Sequence, residues 1–114
     1  MTGDLKEILK KHLAWLRDEK DGKRADLTGA NLTDANLTDA NLTDANLTCA
    51  NLDFASLPLW CGSLNVKVDI RIGAQIAYHF CRLKSEDPDI KTAQQAIKDL
   101  ANKFHRVNEC GRIE

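Results

Sequence analysis

Hydrophobic positions along the chain follow three successive periods. Over residues 5–20 they recur at helical spacing. Leu5, Ile8, Leu9, His12, Leu13 and Leu16 share one stripe, Trp15 sits at its edge, and Lys6, Lys10, Lys11 and Arg17 point away. Asp4 stands where an N-cap would, with Glu7 three residues on, and Gly22 supplies a stop. From Ala25 the spacing changes to five. Leu27, Leu32, Leu37, Leu42, Leu47, Leu52 and Leu57 form one column, and an alanine stands two residues before each. After residue 68 helical spacing returns.

A period of five suits neither a helix nor a flat strand. On a helix, a leucine every fifth residue advances about 500° per step and wanders over the surface. On a strand, an odd spacing alternates faces. The pattern makes sense if the chain turns a corner once per repeat, so that every leucine points to one axis. The alanine must then be small because it also faces inward.

The seven repeats read ADLTG, ANLTD, ANLTD, ANLTD, ANLTC, ANLDF and ASLPL. They resemble the pentapeptide-repeat family, whose motif is A-(D/N)-L-x-x. The resemblance implies a β-solenoid, a right-handed quadrilateral β-helix with one repeat per side and twenty residues per coil. Residues then stack every twenty positions. Asp34 lies over Phe54, Asp39 over Leu59 and Gly29 over Cys49, while Asp34, Asp39 and Asp44 occupy three different sides of one coil. Phe54 and Leu59 are expected to lie beneath another segment. Seven repeats make fewer than two coils, a stack roughly 10 Å tall at about 4.8 Å per layer. Such a stack needs flanking elements or a second subunit to close it. Pro58 cannot donate to a ladder and ends the regular run.

Beyond the repeat, Val66 and Val68 alternate as a last irregular strand. Residues 70–84 predict a helix with Ile72, Ile76, Phe80 and Leu83 inward. Asp87 caps a second helix over 88–107, Pro88 fills its first position, and Ile90, Ala93, Ile97, Leu100, Phe104 and Val107 face inward. The expected organisation is therefore a capping helix in residues 1–24, the repeat in 25–68 and a helical hairpin in 69–114. The whole arrangement, with its LPLWCGS and FHRVNECGRI segments, is also similar to small pentapeptide-repeat proteins of bacterial and phage-type mobile genomes. That resemblance brings no activity with it.

Net charge sharpens the picture. The whole chain carries −1, with 16 Lys and Arg against 17 Asp and Glu. Residues 25–60 hold five aspartates (Asp26, Asp34, Asp39, Asp44 and Asp53) and no basic residue, between two mildly basic ends. Bulk charge therefore argues against coating nucleic acid or an anionic membrane. No apolar run is long enough to span a bilayer, and the first residues lack the apolar core of a signal peptide, so a cytoplasmic protein is expected. The four cysteines then read as thiols or metal ligands, not as a disulfide framework.

The residues offer four candidate chemistries. A zinc site would draw on Cys61, His105 and Cys110, with His79 or Cys81 as a fourth ligand, but these come from separate segments without CxxC or HxxxH spacing. Buried cysteines acting as small apolar groups are the simpler reading. Cys61 or Cys110 as a nucleophile would need a histidine and an orienting Asp69 or Glu109, and no family signature surrounds either cysteine. Lys91, Lys98, Lys103 and Arg106 are interleaved with acids and lack a stacking aromatic, unlike a nucleic-acid footprint. Longer pentapeptide-repeat proteins form acidic rods that occupy the DNA site of type II topoisomerases, which makes the five aspartates a candidate interaction surface here. A homodimer would lengthen the rod. The sequence thus predicts a non-enzymatic protein–protein interaction module without a cofactor, in its sharpest form an inhibitor of a DNA-binding enzyme or a host defence complex. The alternative is a small zinc-stabilised adaptor that works through its C-terminal helices.

Overall fold

The computed structural model describes residues 2–114. Its contacts divide the chain into two parts, Met1–Val68 and Asp69–Glu114.

The first part opens with helix α1, Thr2–Leu16. It begins before Asp4, which lies in the first turn and is not the cap, and it ends four residues earlier than the expected 20. Asp18 takes the left-handed conformation (φ 55°), and the Glu19 amide donates back to the Ala14 carbonyl at 2.8 Å. Gly22 serves a different purpose from a stop. A side chain there would meet the Trp15 backbone nitrogen at 2.5 Å, so only glycine lets the returning chain pass this close to α1.

In the repeat, parallel bridges join Asp26 to Asn46, Asn31 to Asn51 and Asn36 to Ser56, a stacking period of twenty residues. Backbone bonds follow the same register. The Gly29 amide donates to Thr48 at 2.9 Å and the Asp34 amide to Asp53 at 3.0 Å, which sets Gly29 over Cys49 and Asp34 over Phe54. The bridges are isolated, and no extended strand forms among the described residues. The reason is local. Each repeat turns after its leucine, where the next alanine amide bonds the leucine carbonyl (Ala30 to Leu27, Ala35 to Leu32, at 2.9 Å), leaving too few residues per side for a strand.

Six leucines, Leu27, Leu32, Leu37, Leu42, Leu47 and Leu52, are buried, with Ala25, Ala45 and Ala50 beside them. The column then breaks. Leu57 is half-buried and Pro58 takes the interior position. The next bridge joins Asn46 to Lys67, twenty-one residues on, so one extra residue enters between Ser56 and Gly62. The expected seating of Asp39 over Leu59 falls within this shift. Leu59 and Phe54, expected beneath another segment, are 91% and 72% exposed. Gly62 fits because a side chain there would meet the Ala40 carbonyl oxygen at 2.6 Å. The expected last strand is reduced to the single bridge at Lys67, which lays a third layer on that one side.

The second part contains α2 (Ile70–Cys81), α3 (Pro88–Ala96), α4 (Lys98–Ala101) and α5 (Val107–Cys110). Asp69 caps α2 by accepting from the Ile72 amide, and Asp87 caps α3 with Pro88 in its first turn. The second helix expected over 88–107 is broken at Ile97 (φ −106°, ψ 9°). There the Cys81 thiol donates to the Gln94 carbonyl at 3.4 Å, the acceptor an unbroken helix would offer to Lys98. The buried face of α2 is also turned from expectation. Ile72, Ala74, Ala77 and Tyr78 are buried, whereas Ile76 is exposed, and the helix expected over 70–84 ends at Cys81, leaving exposed Leu83 beyond it. Ala77 and Tyr78 meet Ala101 and Phe104 in one cluster, and the alanines let α2 and α4 approach closely.

Candidate interaction surface

The outer surface of the repeat is set by a side-chain lock at each corner. Asn31 Oδ1 accepts from both the backbone amide (3.1 Å) and the hydroxyl (2.6 Å) of Thr33. Asn36 with Thr38 and Asn41 with Thr43 repeat the arrangement. These are Asx turns, in which a short amide side chain holds the backbone two residues on. The signal, Asn-Leu-Thr in four of the seven repeats, is present in the sequence and was missed. It explains the second and fourth positions of the motif.

In five of the seven repeats, Asp39 and Leu59 being the exceptions, the fifth position then closes the turn. Gly29, Asp34, Asp44, Cys49 and Phe54 all have φ between 63° and 69°, the left-handed value that the third residue of a type II turn requires. The lock and this backbone together hold the fifth side chain away from the leucine column.

This geometry sorts the five candidate aspartates. Asp34, Asp39 and Asp44 stand at fifth positions, at the corners of the first coil. Asp26 stands where the other repeats have Asn, and its carboxylate accepts from the amide and hydroxyl of Thr28. Those two bonds hold its pKa below the ordinary carboxylate value, with Lys23 and Arg24 adding a smaller push in the same direction. Asp53 stands at a threonine position, its amide donating to Asn51 Oδ1 at 3.0 Å. Three of the five therefore project from the corners, and two belong to the turns.

On the second coil the fifth positions become Cys49 and Phe54, and the surface turns apolar. Phe54, Leu59, Trp60 and Leu64 are all exposed. The Trp60 indole N–H donates to the Thr38 carbonyl at 2.8 Å, which lays the ring against the first coil.

Above the first coil, His12 is fully buried. Its Nδ1 accepts from the Ala25 amide at 2.9 Å, so Nε2 carries the proton and donates to the Thr43 carbonyl at 2.8 Å. Trp15 stacks on the ring at 5.6 Å, and Arg24 lies over Trp15 while its Nε donates to the Asp44 carbonyl at 2.7 Å. Sequence reasoning read His12 only as a member of the apolar stripe.

The candidate metal ligands are divided. Cys61 is exposed in the first part of the chain at φ 103°, while His105 and Cys110 are exposed in the second. Among the described residues no group of three or more His, Cys, Asp or Glu side chains is arranged to hold a metal ion. Cys81 is engaged with Gln94, and burial pushes its thiol pKa up, away from the reactive thiolate. Of the basic residues considered for nucleic acid, Lys91 pairs with Glu86 at 3.1 Å and Arg106 with Glu109 at 2.9 Å. Among the described residues no helix is long and apolar enough to cross a membrane.

Comparison with family models matches residues 25–58 to the model described as pentapeptide repeats (8 copies). Comparison with curated proteins and with solved structures returns no match.

Proposed function

We propose that this chain, whose residues 25–58 belong to the pentapeptide-repeat family, is a non-enzymatic protein–protein interaction module with its repeat coiled as a short β-helix. Its acidic coil is the contact surface. The observation that supports this reading is the corner geometry. Asp34, Asp39 and Asp44 each follow an Asn–Thr lock, and the Asp34 and Asp44 amides also donate across the layers to Asp53 and Leu64, so their charges are presented with little ordering cost on binding. A basic groove shaped for phosphates is the complementary surface, which makes a nucleic-acid-handling enzyme the partner class. The exposed Phe54, Leu59, Trp60 and Leu64 supply the apolar area that a homodimer would bury.

The test is competition. The chain is titrated into a type II topoisomerase bound to labelled DNA, at two salt concentrations, beside the triple variant Asp34→Asn, Asp39→Asn, Asp44→Asn. Displacement of DNA that weakens with salt and disappears in the variant supports the reading. Displacement that the variant retains, or none at either salt concentration with native protein, refutes it. Native mass spectrometry of the same samples gives the subunit count.

A further inference from the structure

Residues 111–114 lie in the second part of the chain without regular secondary structure, and they are held almost entirely through their backbone. Tyr78 Oη donates to the Gly111 carbonyl at 2.6 Å. Arg82 lies over the Tyr78 ring, and its Nη1 donates to that same hydroxyl at 2.9 Å, leaving the tyrosine proton directed at Gly111. Asn102, only 9% exposed, then takes both backbone groups of Ile113. Its Nδ2 donates to the Ile113 carbonyl at 2.9 Å, and its Oδ1 accepts from the Ile113 amide at 2.8 Å. One buried amide thus offers the donor and acceptor that a neighbouring strand would offer.

Side-chain demands on the segment are few. Ile113 packs on the cluster of Ala77, Tyr78, Ala101 and Phe104, while Arg112 and Glu114 are exposed. Gly111 sits at φ 103°, where a side chain is strained. The face therefore reads a short sequence pattern: a glycine, any residue, then an aliphatic residue.

We propose that this face of α2 and α4 is a docking site for an extended peptide segment of a partner protein with the pattern glycine, any residue, aliphatic, and that residues 111–114 are its resident occupant. Recognition through main-chain groups with a pocket for one alternate side chain is how an extended peptide gains affinity without a long motif. The resident segment competes at an effective concentration on the order of millimolar, so an incoming peptide binds well only when it outmatches or releases that segment. This site is independent of the acidic coil, and the triple aspartate variant retains it.

The probe is a fluorescein-labelled peptide of residues 108–114 carrying Cys110→Ser, titrated into the full chain. Ile113→Ser in the full chain weakens the resident segment and is expected to tighten peptide binding by about tenfold or more. Adding Asn102→Ala returns binding to the native level or below, and a peptide carrying Gly111→Ala binds more weakly. Equal binding to the native and Ile113→Ser chains, or binding that survives Asn102→Ala, overturns the proposal. A measurement on the native chain stands apart from how these variants fold. With ¹⁵N-labelled native protein, excess unlabelled peptide is expected to move the Ile113 amide signal toward its unstructured position. An unmoved Ile113 signal at saturating peptide also overturns the proposal.

Discussion

Replacing His12 with leucine tests how α1 is tied to the repeat. Leucine keeps much of the volume and removes both ring nitrogens. The Ala25 amide and the Thr43 carbonyl, which His12 meets at 2.9 and 2.8 Å, lose their partners together. An orphaned buried donor or acceptor costs about 1–3 kcal/mol. Ala25 is buried, so its amide carries the full penalty, whereas half-buried Thr43 can turn its carbonyl toward water. The expected loss is about 2–4 kcal/mol, a large share of the roughly 5–15 kcal/mol that holds a domain together. Urea denaturation followed by tryptophan fluorescence suits the measurement, because Trp15 stacks directly on the His12 ring. His12→Gln supplies one acceptor and one donor from a single side chain and is expected to recover about half of the loss. The reasoning is refuted if His12→Leu unfolds at the native midpoint, or if His12→Gln is no better than His12→Leu.

Two further substitutions probe the corners of the repeat. Phe54→Gly places glycine at φ 63°, where an L-residue costs about 1–2 kcal/mol. Part of that gain is offset by the greater freedom of an unfolded glycine, about 0.4–1 kcal/mol. The urea midpoint should rise by the equivalent of about 0.5–1 kcal/mol, and a clear fall would show that the phenyl ring contributes more than the strain it imposes. Asp26→Asn should leave the midpoint at neutral pH unchanged, since Asn fills the same role toward Thr33, Thr38 and Thr43. Asp26 has a lowered folded pKa, so its contribution is present above the unfolded value and is lost as pH falls through the folded one, below about pH 4. The variant should therefore lose less stability than native protein on acidification to pH 2–3, and identical acid profiles would sink this assignment.

The repeat was legible because a period of five admits few geometries, and the buried leucines from Leu27 to Leu52 follow it. The reading failed where that logic gives way to packing. Leu57 continues the column in sequence, yet Pro58 fills the interior because an extra residue enters the second coil before Gly62. In α2, hydrophobicity favours a face through Ile76 and Phe80, but the approach of α4 selects the small side chains of Ala74 and Ala77. His12 was placed on the right stripe, and its purpose stayed hidden because its partners are 13 and 31 residues away. The same holds for Asn102 and Ile113, eleven residues apart and joined across a turn of irregular chain. Long-range pairing of a side chain with backbone leaves no periodic trace.

The candidate surface shows the converse. All five aspartates were visible as an acidic block, but only the turn geometry separates the three at the corners from Asp26 and Asp53. Within the four Ala-Asn-Leu-Thr repeats, four of five positions are spoken for: alanine and leucine fill the interior, and the Asn–Thr pair locks the turn. The fifth position is constrained in backbone and open in chemistry, as Gly29, Asp34, Cys49 and Phe54 demonstrate by sharing one φ with four unlike side chains. Binding specificity in this scaffold can therefore change at fifth positions with little consequence for the fold. The change from Asp34 and Asp44 to Cys49 and Phe54 in the following repeats is such a change, dividing the surface of the repeat into an acidic tier and an apolar tier.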